Sequence, residues 1–133
     1  MKREYCDYIQ DVIDSIDKTQ KFTEGLTYDA FREDSKTVFA VIRALEIIGE
    51  AVKNIPESLR SKYSDIPWKE MAGMRDKLIH EYFGVKYEIV WDTIKIEIPE
   101  LKSKFEKIFE ELEKSDPFEK VWNNPEDSVY DNL

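Results

Sequence analysis

Residues 34–55 have the sequence DSKTVFAVIRALEIIGEAVKNI, and their pattern is the clearest indication of the fold class of this chain. Their apolar residues recur at spacings of three and four, which is the period of one buried face of an α-helix. We expect a long helix that begins near Asp34 and ends before Pro56, because the residue before a proline is pushed out of helical geometry. The apolar stripe of this helix consists of Val38, Val41, Ile42, Leu45, Ile48 and Val52.

The residues before this stretch show the same period. Apolar residues from Tyr5 to Ile16 mark one face of a first helix over about residues 2–22, and Gly25 ends it. Thr27 is a suitable N-cap for a short helix that continues through Phe31. We interpret Tyr28, Phe31 and Phe39 as packing residues.

The residues after it predict two further helices. Residues 56–67 indicate one short helical turn and a loop, and Pro67 suits the start of a helix from Trp68 to Tyr82. A last helix is expected over about residues 86–113, with a kink or break near Ile98 because Pro99 lies inside it.

These elements predict an all-α fold, an antiparallel four-helix-type bundle with a short extra helix. Glycine is unfavourable inside a helix, so Gly49 is expected to allow the close approach of a neighbouring helix. We assign residues 1–113 to one helical domain and residues 114–133 to an acidic, mostly irregular tail.

The charge is distributed unevenly along the 133 residues. The net charge is −9, and Glu110–Leu133 alone carries −6, which leaves −3 on the other 109 residues. A generic nucleic-acid-binding protein is usually basic, so a large electrostatic footprint on RNA or DNA is disfavoured, although the body is nearly balanced.

Cellular location and metal binding are also constrained by composition. The first residues lack the apolar segment of a signal peptide, and no apolar run approaches the ~20 residues that span a bilayer, so we expect a cytoplasmic protein with no membrane association. The chain has one cysteine and one histidine, which leaves few ligands for a zinc site. We expect no metal and no cofactor.

The candidate catalytic residues lie within residues 68–84. This segment contains the one histidine of the chain, His80, which follows Arg75 by five residues. A histidine titrates near neutrality and can move a proton in phosphodiester cleavage, and an arginine can hold the charged phosphate. The alternative is structural: a histidine near a helix end often contacts the last carbonyls, and Arg75 is then a surface side chain. Five residues correspond to about 140° on a helix after one full turn, so the two positions do not share a face.

Several segments, in order, resemble the HepT-like family of the HEPN superfamily. RALEIIGEA (43–51) looks like the central helix signature of the family, and MRDKLIHEYF (74–83), preceded by IPW (66–68), looks like its hallmark segment. VW (90–91) and IPEL (98–101) match the last helix. The resemblance covers about residues 4–108.

This resemblance implies a homodimer in which R-x4-H motifs from two subunits face one another across a cleft. It implies a toxin that is a metal-independent endoribonuclease acting on RNA, with Arg75 and His80 as catalytic residues. The implied partner is an MntA-type minimal nucleotidyltransferase, an antitoxin that transfers AMP to the tyrosine at the position of Tyr82. Asp76 stands where asparagine is more usual and adds a negative charge beside the phosphate site.

Two alternatives remain open at this point. Glu50 either faces the cleft and hydrogen-bonds Arg75 or is a solvated or structural residue. The protein itself is either a ribonuclease or a non-catalytic helical module that binds the nucleotidyltransferase.

Overall fold

The computed structural model describes the backbone of residues 2–80 and 86–114, and the side chains of residues 5–74 and 86–114. Within these ranges the chain is helical and contains no strand, as expected for an all-α, HEPN-like fold. The helices are α1 (Lys2–Phe22), α2 (Tyr28–Glu33), α3 (Ser35–Lys53), α4 (Glu57–Arg60), α5 (Trp68–His80), α6 (Tyr87–Asp92) and α7 (Ile98–Lys114), with a 3₁₀ turn at Ser61–Tyr63 and a π-helical turn at Thr93–Glu97.

The turn between α1 and α3 is fixed by local signals, of which Gly25 and Thr27 were predicted. Gly25 adopts a φ of 78°, a left-handed conformation that favours glycine. The Thr27 hydroxyl accepts a hydrogen bond from the backbone N–H of Ala30 at 3.1 Å and caps α2. Asp34 caps α3 in the same way, accepting from the N–H of Thr37 at 3.2 Å.

The core forms around α3, which packs against α1 and α5, while α7 packs against α1. Gly49 is buried in α3. The prediction that Phe39 is a packing residue is wrong, because its side chain is 61% exposed. Phe39 and the buried Ile48 are nine residues apart, which places them on opposite sides of α3. The largest fully buried side chains are Phe31, Phe105, Ile9, Ile16, Leu45, Ile48, Ile55, Met71, Ile94, Ile98, Ile108 and Val12.

The last helix is interrupted near Ile98, where Pro99 predicted a kink or break. The backbone N–H of Ile98 bonds to the carbonyl of Thr93, five residues earlier, so the chain makes one wide π-helical turn instead of breaking. Pro99 follows directly and has no N–H to donate to the preceding turn. α7 ends at Lys114, one residue beyond the predicted domain end, and the predicted tail from residue 115 onward lies outside the described residues.

Two lysine contacts show that the π-helical turn and α7, taken together, run antiparallel to the end of α1 and the residue that follows it. Lys95 Nζ donates to the carbonyl of Thr23 at 3.3 Å, and Lys102 Nζ lies 2.7 Å from the Asp17 carboxylate. Residue numbers thus rise along one helix as they fall along the other. In the described ranges, no helix is both long enough and apolar enough to span a membrane.

Candidate active site

The helix that carries the candidate motif, α5, is anchored at its first residue. The Trp68 indole Nε1–H donates to the carbonyl of Tyr63 at 2.9 Å, and the Trp68 ring meets Phe105 of α7 edge-on, with centroids 5.6 Å apart. The carbonyl of Pro67 accepts from the N–H of Met71 at 3.0 Å, which closes the first turn. These contacts hold the first turn of α5 against Tyr63 and the buried Phe105 of α7.

The loop before α5 is tied to α7 by a second contact. The Tyr63 hydroxyl donates to the carboxylate of Glu111. Burial, followed by this hydrogen bond and the negative charge of Glu111, raises the pKa of Tyr63 to about 12. Tyr63 therefore stays protonated, and donates, throughout the neutral range.

Arg75, Asp76 and His80 all lie in the second half of α5, where the backbone is helical through His80. Their side chains lie outside the described residues. The helical backbone still fixes their register: Arg75 and His80 are about 140° apart around the axis. Asp76 and His80 are four residues apart and lie on the same side of α5.

Glu50 occupies the helix against which α5 packs. Its side chain in α3 is half-buried, and its backbone carbonyl accepts a hydrogen bond from Asn54 Nδ2 at 2.9 Å. A half-buried carboxylate on this helix could face the cleft and bond Arg75, and it could equally be a solvated or structural residue. Its hydrogen bond with Arg75 stays a prediction, because the Arg75 side chain lies outside the described ranges.

Tyr82, the position expected to receive AMP, lies outside the described residues, as does the predicted end of α5 near Gly84. Among the side chains that are described, no group of three His, Cys, Asp or Glu residues is placed to hold a metal ion. Cys6, at the start of α1, is half-buried.

Sequence reasoning missed a groove of about 990 Å³ that runs along α5. Its walls come from α5 on one side and from α6, the π-helical turn and α7 on the other. The groove depends on how far apart these helices lie, and the spacing of apolar residues within one helix carries no information about that distance.

With this geometry established, comparison with known proteins identifies the family. A family model described as "Ribonuclease HepT-like" matches residues 12–108, which include α5 and all of the motif residues up to Tyr82. The chain belongs to the HepT-like ribonuclease family. The resemblance that the sequence motifs indicated is thereby confirmed.

Similar HepT-like chains are found among curated proteins. A protein named as a probable ribonuclease HepT from Thermococcus cleftensis is 54% identical over 81% of this chain and 98% of its own length. Two proteins of Methanocaldococcus jannaschii that are named as candidate RNases are 52% and 50% identical, over 84% and 86% of this chain and 97% and 95% of their own lengths. No solved structure matches the chain. The comparisons therefore support ribonuclease activity at the level of the HepT-like family.

Proposed function

We propose that this HepT-like chain is a cytoplasmic toxin that cleaves RNA as a metal-independent endoribonuclease, with Arg75 and His80 as its catalytic residues. The observation that carries the proposal is the position of both residues in the second half of one helix, α5, inside the segment that the family model matches. Arg75 and His80 supply the two kinds of group that phosphodiester cleavage needs without a metal.

The proposed chemistry assigns one role to each side chain. Histidine removes the proton from a ribose 2′-hydroxyl, whose oxygen then bonds to the adjacent phosphorus as the bond from phosphorus to the 5′-oxygen breaks. Protonated histidine delivers a proton to that departing 5′-oxygen. Arginine stays charged and stabilises the phosphate oxygens as negative charge builds on them. The proton taken from one oxygen is thus balanced by the proton given to the other.

The helical register supports a site shared by two subunits. Positions about 140° apart on one helix do not share a face, so the register of α5 alone does not bring Arg75 and His80 of one chain to a common point. A homodimer that brings together two copies of α5 supplies two arginines and two histidines to one cleft. It also creates a local positive site on a chain with a net charge of −9.

Two carboxylates are assigned supporting positions in this cleft. Glu50 is proposed to hold Arg75 in place by a hydrogen bond from the neighbouring helix. Asp76 follows Arg75 directly, and its negative charge opposes the approach of a phosphate, so Asp76→Asn is expected to increase the cleavage rate.

The proposed regulator is an MntA-type nucleotidyltransferase, the antitoxin, which transfers AMP from ATP to the Tyr82 hydroxyl and releases pyrophosphate. The product carries a bulky anion two residues from His80. It would block RNA by its size and by like-charge repulsion, by the same physics as phosphorylation. Mass spectrometry after incubation with ATP and the nucleotidyltransferase should find the added AMP on Tyr82, and modification confined to another tyrosine would exclude this model.

The acidic composition favours a second candidate, a non-catalytic helical module that binds the nucleotidyltransferase. The two candidates separate in one assay, RNA cleavage in excess EDTA by unmodified protein. The ribonuclease should cleave, Arg75→Ala and His80→Ala should each reduce cleavage by at least ~100-fold, and Lys69→Ala, an exposed cation of the same helix, should cleave normally. No cleavage by the unmodified wild-type protein would favour the binding module.

A further inference from the structure

The groove beside α5 has an apolar floor. Buried Met71 and Leu101 and half-buried Met74 line it, and Ile89, which is 49% exposed, stands on the opposite wall. Methionine side chains adapt their shape to an apolar ligand and are frequent at surfaces that bind peptide helices. The floor is therefore suited to apolar anchor residues from another chain.

Gly73 leaves the α5 wall of this groove open. Among the described residues, a Cβ atom built on Gly73 would meet no atom within 4 Å apart from the backbone of its own helix, although the residue lies in the middle of the helix. Glycine at such a position costs helix stability, and no contact within the described chain compensates for it. An occupant of the groove could approach the backbone of α5 closely at this point.

The rim of the groove is acidic. Glu70, Glu97 and Glu100 line it with exposed side chains, and Lys86 lies at one end. Among the other described residues of the lining, Asp65 and Lys104 form an ion pair with each other, with Lys104 Nζ 3.4 Å from the Asp65 carboxylate. The rim consequently presents a net negative charge around an apolar floor.

We propose that this groove binds an amphipathic helical segment of a partner protein, with apolar side chains on the floor and lysine or arginine side chains against the rim. This is the helix-in-groove mode of recognition, in which the apolar face supplies affinity and the flanking charges supply specificity. The negative charge of the rim argues against two other possible occupants, RNA and a second copy of this chain. RNA is a polyanion, and a two-fold dimer contact through this groove would place the same acidic rim opposite itself.

The docked segment would lie directly before the motif in α5, because Met74 of the floor precedes Arg75 in the chain. The inference rests on the groove alone and does not depend on the ribonuclease proposal. If both hold, binding in the groove offers a way to control access to the second half of α5 without chemical modification.

The test uses a fluorescent peptide of about three helical turns, with leucine at one helical face and lysine elsewhere. The full chain is titrated with this peptide and with a version in which each lysine is replaced by glutamate. We expect binding of the lysine peptide only, weakened about tenfold by the pair Glu70→Lys and Glu100→Lys. The pair Glu106→Lys and Glu110→Lys changes the net charge equally on exposed positions of α7 outside the groove lining, and should leave binding unchanged.

A second variant tests the floor independently of charge. Gly73→Met places a side chain into the open space at Gly73, so it should retain the fold, as judged by circular dichroism, and lose the peptide. Equal effects of the two glutamate pairs, or peptide binding by Gly73→Met as strong as by the wild type, would overturn the proposal. Loss of a dimer on reversal of Glu70 and Glu100 would assign the groove to a second copy, and groove-dependent binding of an RNA oligonucleotide would assign it to RNA. Either result also overturns the proposal, and RNA cleavage by the same variants reports separately on the ribonuclease.

Discussion

Trp68 and Phe105 join the first residue of the motif helix to the middle of α7, with their rings edge-on and their centroids 5.6 Å apart. Trp68 is 8% exposed and Phe105 is fully buried, and the Trp68 indole N–H also bonds to the carbonyl of Tyr63. α5 is thus held at its beginning by α7 and along its length by α3, while the groove lies between its first half, up to Met74, and α6, the π-helical turn and α7.

The first prediction concerns the anchor of α5. Trp68→Ala removes a buried ring from the contact with Phe105 and should lower the free energy of unfolding by about 3–5 kcal/mol. Trp68→Phe keeps an aromatic ring but leaves the Tyr63 carbonyl without its donor, and should cost about 1 kcal/mol or somewhat more. Urea denaturation of the three proteins measures both values. A loss below ~1 kcal/mol for Trp68→Ala would show that this contact does not hold the helix.

The second prediction compares two glycines that should respond in opposite directions. Gly73→Ala adds a methyl group in open space within a helix and should raise the free energy of unfolding by up to about 1 kcal/mol. Gly25→Ala forces alanine into a φ of 78° and should lower it by about 1–2 kcal/mol. Urea midpoints provide the comparison. Destabilisation by Gly73→Ala would mean that another chain fills the space beside Gly73.

The third prediction concerns alkaline pH and the Tyr63–Glu111 hydrogen bond. Burial is the main cause that raises the pKa of Tyr63 to about 12, whereas tyrosine in an unfolded chain titrates near pH ~10. Between these values the folded state keeps a proton that the unfolded state has lost, so the free energy of unfolding should fall as pH rises from about 10 to about 12. Below pH ~10 this stabilisation is fully present.

Tyr63→Phe removes the titrating group, so its free energy of unfolding should fall less steeply than that of the wild type over this pH window. Tyr28→Phe, which removes the hydroxyl of another half-buried tyrosine, serves as the matched control. If the free energy of unfolding fell equally with pH in the wild type and in Tyr63→Phe, the raised pKa assigned to Tyr63 would be contradicted.

The fourth prediction follows from the proton transfers proposed for His80. Cleavage needs histidine in both its neutral and its charged form, and an ordinary histidine pKa lies near ~6.5. The rate should therefore pass through a maximum between about pH 6 and 8. Initial rates on a fluorogenic RNA across this range provide the measurement, and a flat profile would argue against His80 as the proton carrier.

Most helix boundaries were predictable because local chemistry sets them. Thr27 and Asp34 satisfy the first N–H groups of α2 and α3 with their own side chains, and Pro67 and Gly25 restrict the backbone whatever the rest of the chain does. The position of the interruption before Pro99 was also predictable. Its form was not, since an internal proline predicts a kink or break and does not distinguish either from a wide π-helical turn.

The predictions that depended on packing between helices were less accurate. The three-and-four spacing identifies an apolar stripe but does not say how wide the buried arc is, so Phe39 was assigned to packing although it lies opposite Ile48. The groove and its acidic rim arise from residues far apart in the chain, such as Glu70 and Glu100. The motif residues Arg75 and His80 were identifiable from the sequence only because the neighbouring segments also resemble the family.

Co-expression of two inactive variants tests whether Arg75 and His80 from two subunits form one ribonuclease site. Arg75→Ala and His80→Ala chains carry different tags, and the mixed dimer is purified through both tags and assayed in excess EDTA. We expect the mixed dimer to cleave RNA, more slowly than the wild type, although neither variant does so alone. Its cleft contains one arginine and one histidine, and that histidine takes the proton from the 2′-hydroxyl before giving it to the 5′-oxygen. A mixed dimer as inactive as its two parents, beside a wild-type protein that cleaves, would contradict the shared site.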